Sequence, residues 1–356
     1  MLRLAYGPLV IAARCADPAP LAWLSEFLGA SFDVASPSAP PDHVLTLGFG
    51  PLPADPGGFP DETECFSLDG SFVRHPARRG PDGSLEFRDE GAGIRYSVRG
   101  RDVAVLAPAD GPAARLAILR VVRELATADA LRRGHLHLHA SAVAVGERLV
   151  AFAGPRGSGK TTLLLHALLC GGTRYVANDR VFVDLRGDPP AARGMPTIVS
   201  LREETIARFP DFARRLHASA CARDRTLAEA EARRTPDWRP HLTPAQLLAL
   251  ARAQPLGAGA LHAAVFPAFA TDIGRFDLRP LEADEAAERL RRSLLLAALP
   301  ERPAEAFAGG APPRDGPELD RLCRDLGARI ACLDLRLGPR AYDGPALLDA
   351  ILGSVR

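Results

Sequence analysis

Residues 135–162 read HLHLHASAVAVGERLVAFAGPRGSGKTT. His135 to Val145 alternates in the manner of a strand, Gly146-Glu147 is a two-residue turn, and Arg148 to Ala153 returns directly into a glycine-rich loop. A connection this short joins antiparallel strands, because a parallel crossover needs a dozen or more residues. The loop itself, Gly154-Pro155-Arg156-Gly157-Ser158-Gly159-Lys160-Thr161, has the spacing G-x-x-x-x-G-K-[ST]. In that spacing the glycines let successive backbone N–H groups turn inward around a phosphate. The lysine reaches the terminal phosphates, and the hydroxyl after it is placed to ligate magnesium. Thr162 opens an apolar helical run that stops at Gly171-Gly172, so a helix N-terminus would aim its free amides and dipole at the bound phosphate.

Lys160 is the single lysine among 44 basic residues. A composition rich in Ala, Arg, Gly and Pro accounts for the general scarcity of lysine. Its survival at this position suits a site where a compact charge on a thin stem passes between backbone amides and a broad guanidinium does not.

Away from the loop the composition bounds the answer. A chain of 356 residues with 47% apolar content can form two domains with a sizeable core. A net charge of +1 gives no electrostatic case for nucleic acid or an anionic membrane as partner. Six scattered cysteines without a C-x-x-C pair, and no leading signal segment, read as a reduced cytoplasmic protein without structural zinc. The aliphatic run Ser293 to Leu299 is too short to span a bilayer and reads as a buried helix.

Residues 1–110 read as a small α+β module, with β-like runs at Leu9 to Ala12, His43 to Leu47, Ile94 to Val98 and Val103 to Leu106. Pro37 to Pro60 and His75 to Gly91 read as loops, and Asp61, Glu62 and Glu64 as a solvated acidic face. From Asp110, an expected N-cap, Leu116, Leu119, Val122, Leu125 and Ala128 recur at helical spacing. That makes 111–134 a helix joining the modules. Residues 135–356 then form the P-loop domain, with strands expected at Thr173 to Leu185, Leu261 to Phe269 and Arg329 to Leu337. Arg202 to Leu216 reads as a basic helix, Ala218 to Pro240 as a lid-like segment, and 301–317 as an internal linker.

At these residues the chain resembles the HPr kinase/phosphorylase family, whose fold is related to the phosphoenolpyruvate carboxykinases. Three features carry the likeness: His139, fifteen residues ahead of Gly154, on a hairpin leading into the loop; the loop itself; and Val176-Ala177-Asn178-Asp179-Arg180-Val181, which is similar to the family's V-A-D-D-R-V. The likeness is good over roughly residues 130–210 and does not extend to the N-terminal module. It implies an α/β (α+β) P-loop core in which an antiparallel hairpin leads into the loop. His139 and the acidic pair would sit beside the γ-phosphate and the acceptor hydroxyl.

Two departures stand out. Asn178 replaces the first aspartate of the pair, and the family's E-I-R-G signature is absent, so the reverse phosphorolysis activity is not implied. Asp179 remains as the carboxylate, either as base or as magnesium organiser, while Asn178 can orient a hydroxyl or a water but cannot accept a proton. Glu203 and Glu204 read first as a solvated helix face, and Glu203 secondly as a magnesium ligand. His135 and His137 read as half-exposed polar residues of a paired strand, and the resemblance sets His139 apart from them.

The expected activity is therefore ATP- and Mg²⁺-dependent phosphoryl transfer. Lys160 and residues Gly154 to Thr162 hold the nucleotide, Thr161, Asp179 and Glu203 are the candidate metal ligands, and Lys160, Asp179, His139 and Asn178 surround the reacting groups. The acceptor is a hydroxyl on a protein, a peptide or a small molecule, and self-association into a homo-oligomer is left open. The competing reading is a non-catalytic or slowly hydrolysing nucleotide sensor.

Overall fold

The computed structural model describes residues 1–53, 58–66, 72–219, 240–295, 307 and 316–354, with side chains of 64–66 and 72–73 excluded. The lid-like segment expected at Ala218 to Pro240 and the linker expected at 301–317 lie almost wholly outside these residues, as do residues 296–299. The chain divides into two compact units, Met1–Arg133 with Glu301–Pro313, and Gly134–Pro300 with Arg314–Arg356.

Among the described residues the first unit is a mixed sheet packed with helices. In chain order it contains β1 (Leu2–Tyr6), β2 (Leu9–Cys15), α1 (Ala19–Leu28), β3 (Asp33–Val34), β4 (His43–Phe49) and β5 (Asp61–Phe66). After these come β6 (Phe72–Arg79), β7 (Leu85–Asp89), β8 (Ile94–Arg99), β9 (Asp102–Ala107) and α2 (Pro112–Arg132). The sheet order is β3-β1-β2-β4-β9-β8-β7-β6-β5, with β4 parallel to both β2 and β9 and the β5–β9 run antiparallel.

Helix α2 packs on β2 and β9 and buries the helical stripe Leu116, Leu119, Val122, Leu125 and Ala128. It belongs to the first unit, as does Phe307, whose ring meets those of Phe87 and Tyr96. Asp110 is not its N-cap. The cap is Gly111, and the Asp110 carboxylate instead takes a forked hydrogen bond from Arg115 at 3.1 and 2.8 Å.

His75 to Gly91, expected as loop, folds largely into β6 and β7. The period-two alternation is present but masked by polarity: Ala77, Leu85 and Phe87 are buried, while Arg78, Glu86 and Arg88 project from the other face.

The second unit opens with β10 (Leu136–Val145), β11 (Arg148–Ala153), α3 (Lys160–Cys170), β12 (Thr173–Ala177), β13 (Arg180–Asp184), β14 (Ala191–Met195) and β15 (Val199–Ser200). It continues with α4 (Glu203–Ala207), α5 (Pro210–Ala218), β16 (His241–Leu242), α6 (Pro244–Ala251), β17 (Gln254–Pro255) and β18 (Ala258–Phe269). The last elements are β19 (Phe276–Pro280), α7 (Ala283–Arg292), α8 (Gly316–Arg329), β20 (Ala331–Leu337) and α9 (Ala346–Gly353). The basic helix expected over Arg202 to Leu216 is two helices, separated where Pro210 cannot continue the first.

Strands β10 and β11 form the antiparallel hairpin, paired from Ala140–Ala153 to Val145–Arg148. Its partners are not all antiparallel, because β11 also lies parallel to β18 and β18 lies parallel to β20. The sheet is therefore mixed, and β11, β18 and β20 all end on the side where the glycine loop begins.

Strands β12 and β13 run in one direction along the same edge of β10, so the strand expected from Thr173 to Leu185 is interrupted only by a bend at Asn178-Asp179. Between the pairs Val143–Tyr175 and Ala142–Ala177 the register shifts by one, leaving Val176 as the extra residue of a bulge.

One face of this sheet, with Leu136, Leu138, Ala140, Leu149 and Ala151, packs on Ala286 and Leu290 of α7 and on Cys323 and Leu326 of α8. Ser293 to Leu295 is not the expected helix. Ser293 caps α7, and the chain then runs beside β10, with the His139 N–H donating to the Ser293 carbonyl at 2.7 Å and Leu295 N–H to the His137 carbonyl at 2.8 Å. No helix among the described residues is long and apolar enough to cross a membrane.

Candidate functional site

The loop between β11 and α3 takes the form its glycines permit. Gly154 has φ +148° and Gly159 φ +103°, in the region that L-residues with a Cβ avoid. A Cβ on Gly154 would also lie 3.1 Å from Ser158 Oγ, so a side chain there would crowd the inside of the loop. Pro155, Arg156 and Gly157 are exposed, Ser158 and Thr161 are half-buried, and Lys160 is buried at the start of α3. The Ser158 hydroxyl is buried without a hydrogen-bond partner among the described residues.

Lys160 folds back over the loop, its Nζ donating to the Gly154 carbonyl at 2.8 Å and the Pro155 carbonyl at 2.9 Å. Two of its three N–H groups are thus used within the loop. Burial lowers its pKa to about 8, against the opposing pull of the Asp179 charge.

Asp179 stands at the bend between β12 and β13. Its Oδ1 lies 3.1 Å from His139 Nε2 and its Oδ2 3.6 Å from Arg180 Nε. Burial pushes this carboxyl up, but the hydrogen bond and charge of His139, followed by the charges of Arg180 and Lys160, outweigh it and hold the group below the usual carboxylate range. Its side chain is still 37% exposed and open to a ligand. The backbone fixes the arrangement: Ala140 N–H donates to the Asp179 carbonyl at 3.0 Å, so the bend is tied to the strand that carries His139.

Asn178 turns the other way. In a regular strand residues three apart point to opposite faces, but the bulge at Val176 brings Tyr175 and Asn178 to the same one. Tyr175 Oη donates to Asn178 Oδ1 at 2.8 Å, and Asn178 Nδ2 donates to the Ile198 carbonyl at 3.3 Å. The carbonyl acceptor fixes which end of the amide is nitrogen. The side chain expected beside the reacting groups is therefore 6% exposed and engaged at both ends within the core.

The remaining sequence candidates separate. Thr162 lies on the inner side of α3, where its hydroxyl meets that of Thr205 on α4 at 3.0 Å. Glu203 is exposed in the first turn of α4, two residues before that contact, and Glu204 is exposed beside it. His137, expected half-exposed, is 3% exposed and stacks on its cross-strand partner Phe182 at 4.2 Å between ring centroids. Among the described residues no three His, Cys, Asp or Glu side chains gather as a metal cage.

Arg180, which the sequence motif leaves without a role, has its side chain 3% exposed beside Asp179. The signal was present in the sequence: an arginine directly before the apolar run Val181-Phe182-Val183 enters a buried strand, where a charge persists only with a partner. No protein-family model matches this chain, and no curated protein matches it.

Proposed function

We propose that the second unit is an HPr kinase-like, phosphoenolpyruvate carboxykinase-related P-loop core that binds ATP with Mg²⁺ and passes the γ-phosphate to a hydroxyl acceptor. That acceptor is a serine of a protein or peptide, or a small-molecule alcohol. One observation carries this reading: the His139–Asp179–Arg180 cluster converges on the carboxylate whose charge acts on the loop lysine, Lys160. A phosphate cradle alone supports binding; a cradle with an oriented carboxylate and the cationic side chains of Lys160 and Arg180 also supports transfer, in which positioning and charge neutralisation are most of the catalysis.

In this reading the loop amides of residues 154–162 cradle the phosphates, and Lys160 directs its remaining N–H at the terminal one. Magnesium fits the hard-oxygen donors present, the Thr161 hydroxyl and the Asp179 carboxylate, with the rest of its shell left to water and phosphate. Once bound it would neutralise charge on the phosphates. Because His139 and its neighbours keep Asp179 strongly acidic, this carboxylate is a weak proton acceptor. Its role is to orient the acceptor hydroxyl and the metal shell, and His139 holds the Oδ1 edge of the carboxylate in place.

Incubation of the protein with γ-labelled ATP and magnesium against candidate peptides and a pool of small alcohols tests the reading. Label on an acceptor supports it; release of free phosphate alone, or binding without turnover, replaces it with a nucleotide sensor. The locked Asn178 amide is the observation that favours that second reading, since it leaves one carboxylate where the resembled family has two.

A further inference from the structure

We infer that the aromatic base of the nucleotide held by the 154–162 loop lies against Phe269, a site that rests on the nucleotide-binding reading above. Among the described residues the exposed large apolar side chains are Met1, Val34 and Phe269, and Phe269 is the aromatic one, with 52% of its surface open. An exposed apolar residue needs no explanation by itself. Its position does, because the ring ends β18, the parallel neighbour of the strand that feeds the loop, and so stands at the same end of the sheet as the phosphates. A Cβ built on Gly159 would lie 3.3 Å from Phe269 Cζ and 3.4 Å from Leu337 Cδ1, so ring and leucine rest directly on the last glycine before Lys160.

The strand end that carries the ring is also braced. Ala270 N–H donates to the Leu337 carbonyl at 2.9 Å, and Gly338 N–H donates to the Arg275 carbonyl at 2.6 Å. Arg340 N–H donates to the Gly274 carbonyl at 3.1 Å, and the Arg336 guanidinium grips Asp272 at 2.7 and 2.6 Å. The turn after Phe269 is thereby fastened to the turn after β20. A ring whose tip, Cζ and Cε2, touches the loop and about half of whose surface is open, on a braced strand end, is available for stacking. The flat group tethered nearest to a phosphate in that loop is the base of the same nucleotide.

Calorimetric titration of the full chain with MgADP and, separately, with magnesium tripolyphosphate tests the assignment. Phe269→Ala is expected to weaken MgADP about tenfold and to leave tripolyphosphate within about twofold, because the lost contact is with the base alone. Phe269→Trp is expected to keep MgADP affinity, with indole fluorescence quenched by MgADP and unchanged by tripolyphosphate. Equal weakening of both ligands in Phe269→Ala means that the ring only props the loop and overturns the inference, and unchanged MgADP affinity overturns it as well. Wild-type protein that binds neither ligand instead removes the nucleotide reading itself, and the base site with it.

Discussion

Each unit is built on a nine-stranded mixed sheet among the described residues, yet the two sheets treat charge in opposite ways. In the first, the charges of β6, β7 and β8 lie on the face turned away from Ala77, Leu85 and Phe87, partly exposed and paired with one another. Arg78 and Arg95 both reach Glu86, at 2.6 and 2.7 Å, and the guanidinium groups of Arg78, Arg88 and Arg95 lie 5.0 to 5.8 Å from the Phe59 ring centre. In the second, Lys160, Arg180, Asn178 and His137 are all under a tenth exposed, and all but His137 stand within the loop or the bend beside it. Charge on a solvated face costs little to place and contributes little. A cation taken out of water persists only where something repays its desolvation, and a cluster of such groups at one end of a sheet marks a site.

The sharpest break of this contrast is Lys160→Ala, expected to reduce phosphoryl transfer at least about 10³-fold with the fold intact, while Lys160→Arg restores little. Labelled-ATP assays beside a thermal melt check it. A fully active arginine variant would contradict the role given to the compact charge.

Asp179→Asn comes next, with transfer expected to fall by roughly 10²-fold or more while MgADP still binds, since the cradle is mostly backbone. Wild-type turnover in this variant would move the catalytic role to another residue.

Asn178→Asp tests the inward-facing side chain. A carboxylate there faces the Ile198 carbonyl without a donor to give it and stands beside Asp179, so a loss of about 2–4 kcal/mol is expected in urea unfolding. The sign with pH follows from a raised folded pKa. The variant approaches wild type below the unfolded value of about 4 and diverges as pH rises above it. A variant as stable as wild type at pH 7 would show that the site tolerates the second acid.

Lys160 also sets a pH dependence. Its folded pKa of about 8 lies below the unfolded 10.5, so free protein gains stability as pH rises between those values. Bound phosphate requires the charged form. Nucleotide affinity should therefore hold below pH 8 and fall about tenfold per unit above it, with ~0.5 proton taken up per site at pH 8. Titrations in two buffers of different ionisation enthalpy measure that uptake, and its absence at pH 9 would place the lysine charge elsewhere. The smallest effect is on the other sheet: Glu86→Gln, which breaks two partly exposed ion pairs, should cost about 1 kcal/mol or less and leave nucleotide binding unchanged.

The hairpin, the loop and the helix after it were legible because every constraint in them is local: a two-residue turn, glycines at fixed offsets, an apolar run closed by Gly171-Gly172. The strands at His75 to Arg79 and Leu85 to Asp89 were hidden, since their outward residues are arginine and glutamate and their inward ones include histidine and alanine. The parallel pairing of β11 with β18 joins residues more than a hundred apart, and no spacing within either strand encodes it.

The sequence by itself therefore determined the shape of the glycine loop, because the positive φ at Gly154 and Gly159 is open to glycine and costly for other residues. The resemblance, not any local spacing, put Asp179 and His139 side by side, and the pairing of β10 with β13 brings them to 3.1 Å. Tertiary structure decided the direction of side chains: a one-residue bulge at Val176 set Asn178 on the face of Tyr175, cross-strand register buried His137 against Phe182, and long-range strand order set Phe269 on Gly159. Register is a property of pairs of strands, and a shift of one residue exchanges the two faces, so the difference between a site residue and a core residue is settled only when the sheet is assembled.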